Sequence, residues 1–452
     1  MSFPFIPLIM TVRKSSDKQD CLIQMSHHLY NQLQINQCNN IYMKLGRTTI
    51  KANIQIIEMV SNEIILPENM FHHFRLPINR YKLKAKYCTA ENTILLGPVI
   101  GLLTDFHVKE NEEPFFRSIH KFCEELHSIV KDHGGFFYVF SYESFDSKGY
   151  YFSEGKWHPA SLPLPDVVYN RVHSRKLEQK ESFKKFRNKL ENLSIPIFND
   201  RFLSKWEVFE QIKNENQLLD SIPDTKLFSK ENLLEFAQKY ETVFIKPIHG
   251  SQGKNIIKLT KERDDLFSIQ TSISPPPANS EQKFTLDQLY QQIKSLQQNR
   301  ICIVQQGIHF LPYQSRPLDF RVLVHKDLKH MWKITSIVAR VGAEDEFVSN
   351  MARGGITMRP HAVFRESMTR KKSMEAITKI KRLAIETAEG ISKNTSGITG
   401  ELGIDIGVDK EGNPWLIEVN SKPSKLFHDD GKIRPSAKAI IQFSTILAFE
   451  SI

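Results

Sequence analysis

The stretch LIEVNSKPS, residues 416–424, places a carboxylate and a carboxamide at alternate positions, Glu418 and Asn420. Residues two apart on a strand share a face, so these side chains point one way while Ile417 and Val419 point the other. Upstream, ELGIDIGVD sets Asp405 among glycines, with Ile404, Ile406 and Val408 on the opposite face. The turn-forming DKEGN between the two stretches signals a hairpin. A four-residue loop Lys410–Asn413 would pair Asp409 with Pro414 and Val408 with Trp415, and that register sets Asp405 opposite Glu418. Opposed like charges repel, so a cation is expected between them. The all-oxygen set Asp405, Glu418 and Asn420 suits magnesium, which takes one or two carboxylates and completes its shell with substrate phosphates. The plain alternative is a pair of solvent-facing acids on an edge hairpin.

VFIKPIHGSQGKNIIKL, residues 243–259, ends a strand on Lys246 and runs into Gly250, Ser251, Gln252 and Gly253. Backbone N–H groups of such a loop can wrap phosphate oxygens. The glycines are too close for a Walker A pattern, and a strand rather than a helix is expected next. RPLDFRVLV puts Asp319 and Arg321 on one strand face, Arg340 stands on the next strand, and SNMARGG adds Asn350 and Arg353. Arginines beside a metal–phosphate site neutralise charge on a transferring phosphoryl group. Taken singly, each reads more readily as a surface ion pair. No Ser/His or Cys/His nucleophile pair stands out in a persuasive context.

These residues need elements to hold them. With 452 residues, 40% hydrophobic and 25% charged, the chain has material for about three domains of ~150 residues. Residues 1–93 read as a β-rich domain, 94–200 as an α/β domain, and 201–452 as the domain carrying the chemistry, with a loop insertion at 261–300. The run TILLGPVIGLLT (93–104) suits a strand buried on both faces followed by a turn. Residues 112–135 read as one amphipathic helix with Pro114 in its first turn and Gly134 at its end. SISPPPANSEQ (272–282) reads as an exposed loop, and no internal repeat is evident. No apolar run approaches the ~20 residues of a membrane helix, and the first residues lack the basic segment of a secretory signal. Five scattered cysteines, Cys21, Cys38, Cys88, Cys123 and Cys302, favour a reducing cytoplasm over a disulfide framework. The net charge of +10 admits anionic partners, but no nucleic-acid-binding signature accompanies the basic stretch 171–189.

The order of Lys205, IKP…GSQG, VQQGI, DFR, NMARGG, GIDIG and WLIEVNSKP resembles the ATP-grasp fold. LGPVIGLLT, GKWHPASLPLPDVVYNRVHSR and ELGIDIGVDKEGNPWLIEVNSKPSK further resemble the endospore-coat-associated YheC/YheD type. The resemblance implies two α+β subdomains clamping ATP, preceded by a pre-ATP-grasp α/β domain and the β-rich region. It implies that Lys205 and Lys246 contact phosphates, that the Gly250–Gly253 loop closes over them, and that Gln305, Gln306, Gly307 and Ile308 form the adenine hinge. Glutamines stand where members often carry an acid. Asp405, Glu418 and Asn420 would hold one or two magnesium ions, with Arg321, Arg340 and Asn350 as catalytic groups. The implied activity is an amide-forming ligase that joins a carboxylate substrate to an amine acceptor through an acyl phosphate. The alternatives are a coat protein that keeps the fold without turnover, or a phosphotransferase. Lys422 reads either as a phosphate or substrate contact or as a surface residue.

Overall fold

The computed structural model describes residues 5–14, 21–36, 40–59, 61–108, 112–250, 253–263, 266–273, 283–297, 300–344, 354–425 and 432–450. Ser251, Gln252, Asn350, Arg353, Cys38 and the proline-rich 274–282 lie outside the described residues.

Strands β1 (Ile6–Arg13), β2 (Leu22–Ser26), β3 (Asn40–Leu45), β4 (Thr48–Ile57), β5 (Glu63–Pro67), β6 (Tyr81–Cys88) and β7 (Thr93–Gly97) close into a barrel. Short helices α1 (His27–Gln32) and α2 (Glu68–His73) follow β2 and β5. The barrel contains a two-fold repeat that the sequence reading missed. β1 pairs parallel with β5 as β4 pairs parallel with β2, while β1 pairs antiparallel with β6 as β4 does with β3. β7 lies between β3 and β6. Each helix ends on the same turn. Leu33 N–H donates to Leu29 O and Gln34 N–H to Asn31 O, as Phe74 does to Met70 and Arg75 to His72, and Gln34 and Arg75 both take φ of 55°. Over this stretch only Ile23 and Ile64 are identical, but Met25/Leu66, Leu29/Met70, Leu33/Phe74 and Ile35/Leu76 are buried equivalents. Burial pattern, not residue identity, carries the duplication.

The apolar run 93–104 is two strands in two sheets. It breaks at Pro98, which has no N–H to continue a ladder, so the barrel ends at Gly97 and β8 (Val99–Leu103) starts the next layer. That layer adds α3 (His120–His133), β9 (Phe136–Phe140), β10 (Gly149–Ser153), β11 (Lys156–Ala160), β12 (Val167–Asn170), α4 (Arg175–Glu178), α5 (Glu181–Asn192) and β13 (Ile197–Phe198). Strand order is β11-β10-β9-β8-β12-β13, with β8 parallel to both β9 and β12. The expected helix over 112–135 begins only at His120. Arg117 takes φ of 52°, which a right-handed helix cannot absorb, and Pro114 lies before it. Phe115 forms an isolated bridge with His107 and is 64% exposed.

The third sheet, ordered β14-β19-β15-β16-β17-β18, is built by β14 (Thr225–Leu227), β15 (Thr242–Pro247), β16 (Ile257–Arg263), β17 (Leu266–Thr271), β18 (Lys283–Thr285) and β19 (Cys302–Gln306). Helices α7 (Lys230–Lys239) and α8 (Leu286–Gln297) accompany it, whereas α6 (Lys205–Ile212) buries Val208 and Ile212 in the core of the fourth sheet. Residues 261–300 are therefore more than a loop insertion: Phe267, Ile269, Phe284, Leu289 and Ile293 bury into this sheet's core. The fourth sheet is β22-β21-β20-β23-β24, formed by β20 (Leu318–Lys326), β21 (Trp332–Val341), β22 (Ile356–Met358), β23 (Glu401–Val408) and β24 (Pro414–Asn420). Helices α9 (Pro360–Phe364) and α10 (Arg370–Asn394) complete it, and α11 (Pro435–Glu450) packs on α3, β12 and β20.

Asp405 does face Glu418, by a different route from the one expected. Asp409 N–H donates to Asn413 O at 3.0 Å, so the loop is Lys410–Gly412 and Val408 pairs with Pro414. A bulge between Asp405 and Ile406 then adds back the residue the shorter loop removes.

Candidate active site

A cleft lies between the third and fourth sheets, lined by Lys205, Val208, Phe209 and Ile212 of α6, Thr225, Lys246, Ile303 and Gln305, and Leu416–Val419 of β24. The start of α6 is set by a capping box. Ser204 Oγ accepts from Glu207 N–H at 3.1 Å and the Glu207 carboxylate returns to Ser204 N–H at 3.5 Å. Lys205 thus sits at the helix's first position. Its N–H donates to Ile248 O at 3.1 Å, and its Nζ donates to Glu418 Oε1 at 3.0 Å and Gly250 O at 3.2 Å. One lysine bridges the lip of the glycine loop and the acidic strand.

Lys246 Nζ donates to Gln305 Oε1 at 2.7 Å, and Gln305 Nε2 donates to Thr225 Oγ1 at 2.9 Å. Burial, reinforced by the charge of Lys205 and opposed by Glu418, pushes the Lys246 ammonium down to about 8. Among the described residues its acceptor is a neutral amide oxygen, which leaves the half-buried charge short of an anion. Along the hinge, Gln306 N–H donates to Asp224 O at 2.9 Å and Gly307 N–H to Thr242 O at 2.8 Å. A Cβ on Gly307 would stand 2.5 Å from the Thr242 side chain, so only glycine fits. Among the described residues the Ile308 N–H has no partner.

Asp405 is differently placed. Arg321 embraces it through Nε and Nη2, the latter 2.9 Å from Oδ2, and Arg340 Nη2 approaches Oδ2 at 3.0 Å. Arg340 also donates to both oxygens of Asp319 at 2.6 Å. Burial opposes ionisation of Asp405, but the two guanidiniums prevail and hold its carboxyl below the usual range. The repulsion expected between Asp405 and Glu418 is thus relieved by Arg321, Arg340 and Lys205. Asn420 ends β24 opposite Gly403 with its side chain half-buried and unpartnered among the described residues. The described residues hold no group of three or more His, Cys, Asp or Glu side chains arranged for a metal. An oxygen set of Glu418 and Asn420 nevertheless fits a hard divalent cation, since such ions use few carboxylates. Both Asp405 oxygens, by contrast, are already taken.

Lys422 is neither a surface residue nor free for phosphate. It is buried against Glu178 and lies 4.6 Å over the Phe202 ring, and burial lowers it to about 8. Two contacts at the cleft's edge escaped the sequence reading. Arg175 Nη1 lies 3.1 Å from His249 Nδ1, beside the glycine loop, and Thr225 supports Gln305. Arg175 stands in the quoted RVHSR, but nothing in its spacing pointed to the loop; Thr225 left no signal at all.

A family described as YheC/D like ATP-grasp matches residues 194–447, and the chain belongs to it. The fold of this region is ATP-grasp. The endospore coat-associated protein YheD of Bacillus subtilis (strain 168) is 26% identical over 393 residues, covering 85% of each chain. YheC of the same organism is 20% identical over 278 residues, 61% of this chain and 75% of the relative. Among solved structures, the D-alanine-D-alanine ligase from Coxiella burnetii is 11% identical with a TM-score of 0.45, over 78% of this chain and 95% of that one. ATP-grasp ligase PsnB complexed with minimal precursor is 14% identical with a TM-score of 0.42, over 76% of this chain and 99% of that one. No described helix is long and apolar enough to cross a membrane.

Proposed function

We propose that the cleft binds ATP with magnesium and that the protein is an amide-forming carboxylate–amine ligase. The observation that carries this reading is the half-buried Lys246, whose acceptor is the neutral Gln305 amide, beside Lys205, which pairs with Glu418 across the two sheets. A triphosphate supplies the anion that Lys246 lacks, and it competes with Glu418 for Lys205, freeing that carboxylate. Ile308 N–H and the hinge carbonyl groups would then meet the purine edge, with Gln305 fixing Lys246 rather than reading ribose. Glu418 and Asn420 would hold magnesium, and Asp405 would serve chiefly to aim Arg321 and Arg340. When bound, the metal would supply charge neutralisation there. Gly250–Gly253 and Asn350 are proposed to contact phosphate.

A substrate carboxylate attacks the γ-phosphoryl group, giving an acyl phosphate and ADP; an amine then attacks the acyl carbon and phosphate leaves. Arg321 keeps Nη1 outside its pair with Asp405, so it can meet charge developing on the phosphoryl oxygens. The coat-associated names of the relatives suggest an acceptor among coat peptides, proteins or related metabolites, and a cytoplasmic site of action in a sporulating cell. Purified protein with ATP, magnesium and a panel of acids and amines tests the reading. ADP and phosphate release with an amide product supports it. Tight nucleotide binding without ADP release points to a coat protein that keeps the fold, and a stable phosphorylated product points to a phosphotransferase.

A further inference from the structure

The second sheet holds a cluster that the ATP cleft does not use. The chain leaves β8 through α3 to β9 on one side, and β12 occupies the other side, so strand order reverses between β8 and β12. In open α/β sheets such a switch point, at the carboxyl ends of the strands, is where ligands bind. Asp105 stands just past β8, His173 just past β12, and Ser118 in the 3₁₀ turn Arg117–Ile119 that leads into α3. His173 Nδ1 lies 3.3 Å from Asp105 Oδ1, and its Nε2 lies 3.3 Å from Ser118 Oγ.

We propose that Ser118, His173 and Asp105 form a second, ATP-independent nucleophilic centre that cleaves carboxylic esters. The surrounding bonds assign the tautomer. Thr104 Oγ1 donates to Arg171 O at 3.1 Å, so it faces His173 Nδ1, 3.3 Å away, as an acceptor. Asp105 is an acceptor too: burial opposes its charge, but the ring and backbone N–H of His173, with Arg117 Nη2 at 3.2 Å, hold the carboxyl down to about 2. Two acceptors at Nδ1 place the proton there and leave Nε2 to take the Ser118 proton. This is the nucleophile–base–orienter arrangement, whose contacts are often loose without substrate.

Access and strain agree with that role. Ser118 is exposed, and Arg117 before it is held in the left-handed region at φ 52°, a backbone strain that tends to collect at functional sites. Ile119 gives α3 no side-chain cap, so peptide dipoles at that end favour a developing oxyanion. In the reaction Ser118 Oγ bonds to the ester carbonyl carbon while its proton passes to His173 Nε2. The carbon–oxygen bond to the alcohol breaks, and the leaving alkoxide takes that proton. Water then attacks the acyl-serine, again giving its proton to Nε2, and the carboxylic acid departs as Ser118 is restored. The open setting suits an ester, whose leaving group needs less help than an amine.

The test uses the full chain with a fluorophosphonate probe and p-nitrophenyl acetate. A phosphonyl adduct on the peptide containing Ser118 is expected, with acetate release falling at least tenfold in Ser118→Ala. His173→Gln should slow labelling at least tenfold at an unchanged circular-dichroism melting curve. Asp105→Asn, a positioning change, should move selectively 15N-labelled His173 from the Nδ1–H to the Nε2–H tautomer and slow labelling as well. Absence of an adduct on Ser118, an adduct only elsewhere, or labelling unaffected by His173→Gln would overturn the proposal, and the three groups would be bonds that tie strand ends together.

Discussion

Glu401 and Glu418 sit on adjacent strands, β23 and β24, and each holds a lysine, but their surroundings differ. Glu401 is fully buried and accepts from Tyr169 at 2.6 Å, from His325 at 2.9 Å and from Lys425, with Arg171 at 3.5 Å. These partners come from β12, β20 and the segment after β24, so one carboxylate fastens the second sheet to the fourth. Burial works against its charge, yet Lys425, His325 and Arg171 hold it far below the usual range. Glu418 is 22% exposed and has the one lysine, which it shares with Gly250 O. A saturated carboxylate is a rivet; an unsaturated one at a cleft can change partners. The lesson is that the count of satisfied partners, more than charge itself, separates architecture from binding.

Breaking the rivet should give the largest effect. Removing one partner of a buried charge network typically costs about 3–5 kcal/mol, so Glu401→Gln is expected to lower stability on that scale in chemical denaturation. The sign with pH follows from its depressed pKa. The stabilisation is present above the unfolded value of about 4.3 and fades as pH falls through the folded one, so acid-unfolding curves of wild type and variant should converge at low pH. Next in size, Lys246→Met should lower ATP affinity roughly ten- to hundredfold by calorimetric titration, the range expected for hydrogen bonds to a charged group.

The same lysine sharpens the comparison through pH. Its ammonium, the phosphate-attracting form, is lost as pH rises through about 8, so wild-type ATP affinity should decline above that pH. Lys246→Arg, charged throughout, should show no such decline. Glu418→Gln should cost no more than about 1 kcal/mol of stability, because its ion pair is partly exposed, while weakening the magnesium-dependent share of nucleotide binding. The same gain in affinity from magnesium in the variant as in the wild type would remove Glu418 from the site. The last effect belongs to the cleft's scaffold and leaves the binding groups themselves in place: Ser204→Ala should cost about 1 kcal/mol through the lost helix cap, read as a lowered melting temperature.

Local chemistry was legible along much of the chain. Strand period and turn residues marked β15, β16, β20, β21, β23 and β24. These signals depend on neighbours a few residues away, which any window of sequence contains. The helix expected from Glu112 failed because one left-handed residue, Arg117, interrupts an otherwise helical apolar pattern. The barrel's repeat was hidden because core positions ask only for apolar volume, so paired positions such as Leu33 and Phe74 drifted apart. The Asp405–Glu418 pairing was reached through a loop one residue too long and a bulge left out, two departures that cancel.

What the sequence determined by itself was the chemical inventory and its local order: an Asp and a Glu-x-Asn on facing strands, two lysines near a glycine loop, and the ATP-grasp resemblance they carry. Which charges are neutralised, and by whom, was decided by tertiary structure alone. Arg321 and Arg340 take Asp405, Lys205 takes Glu418, Glu178 takes Lys422, and His173 meets Asp105 and Ser118 from separate strand ends. The reason is physical. A side chain's charge is written in its residue type, whereas its solvation and its partners depend on distances between segments tens to hundreds of residues apart, and those exist only once the sheets have packed.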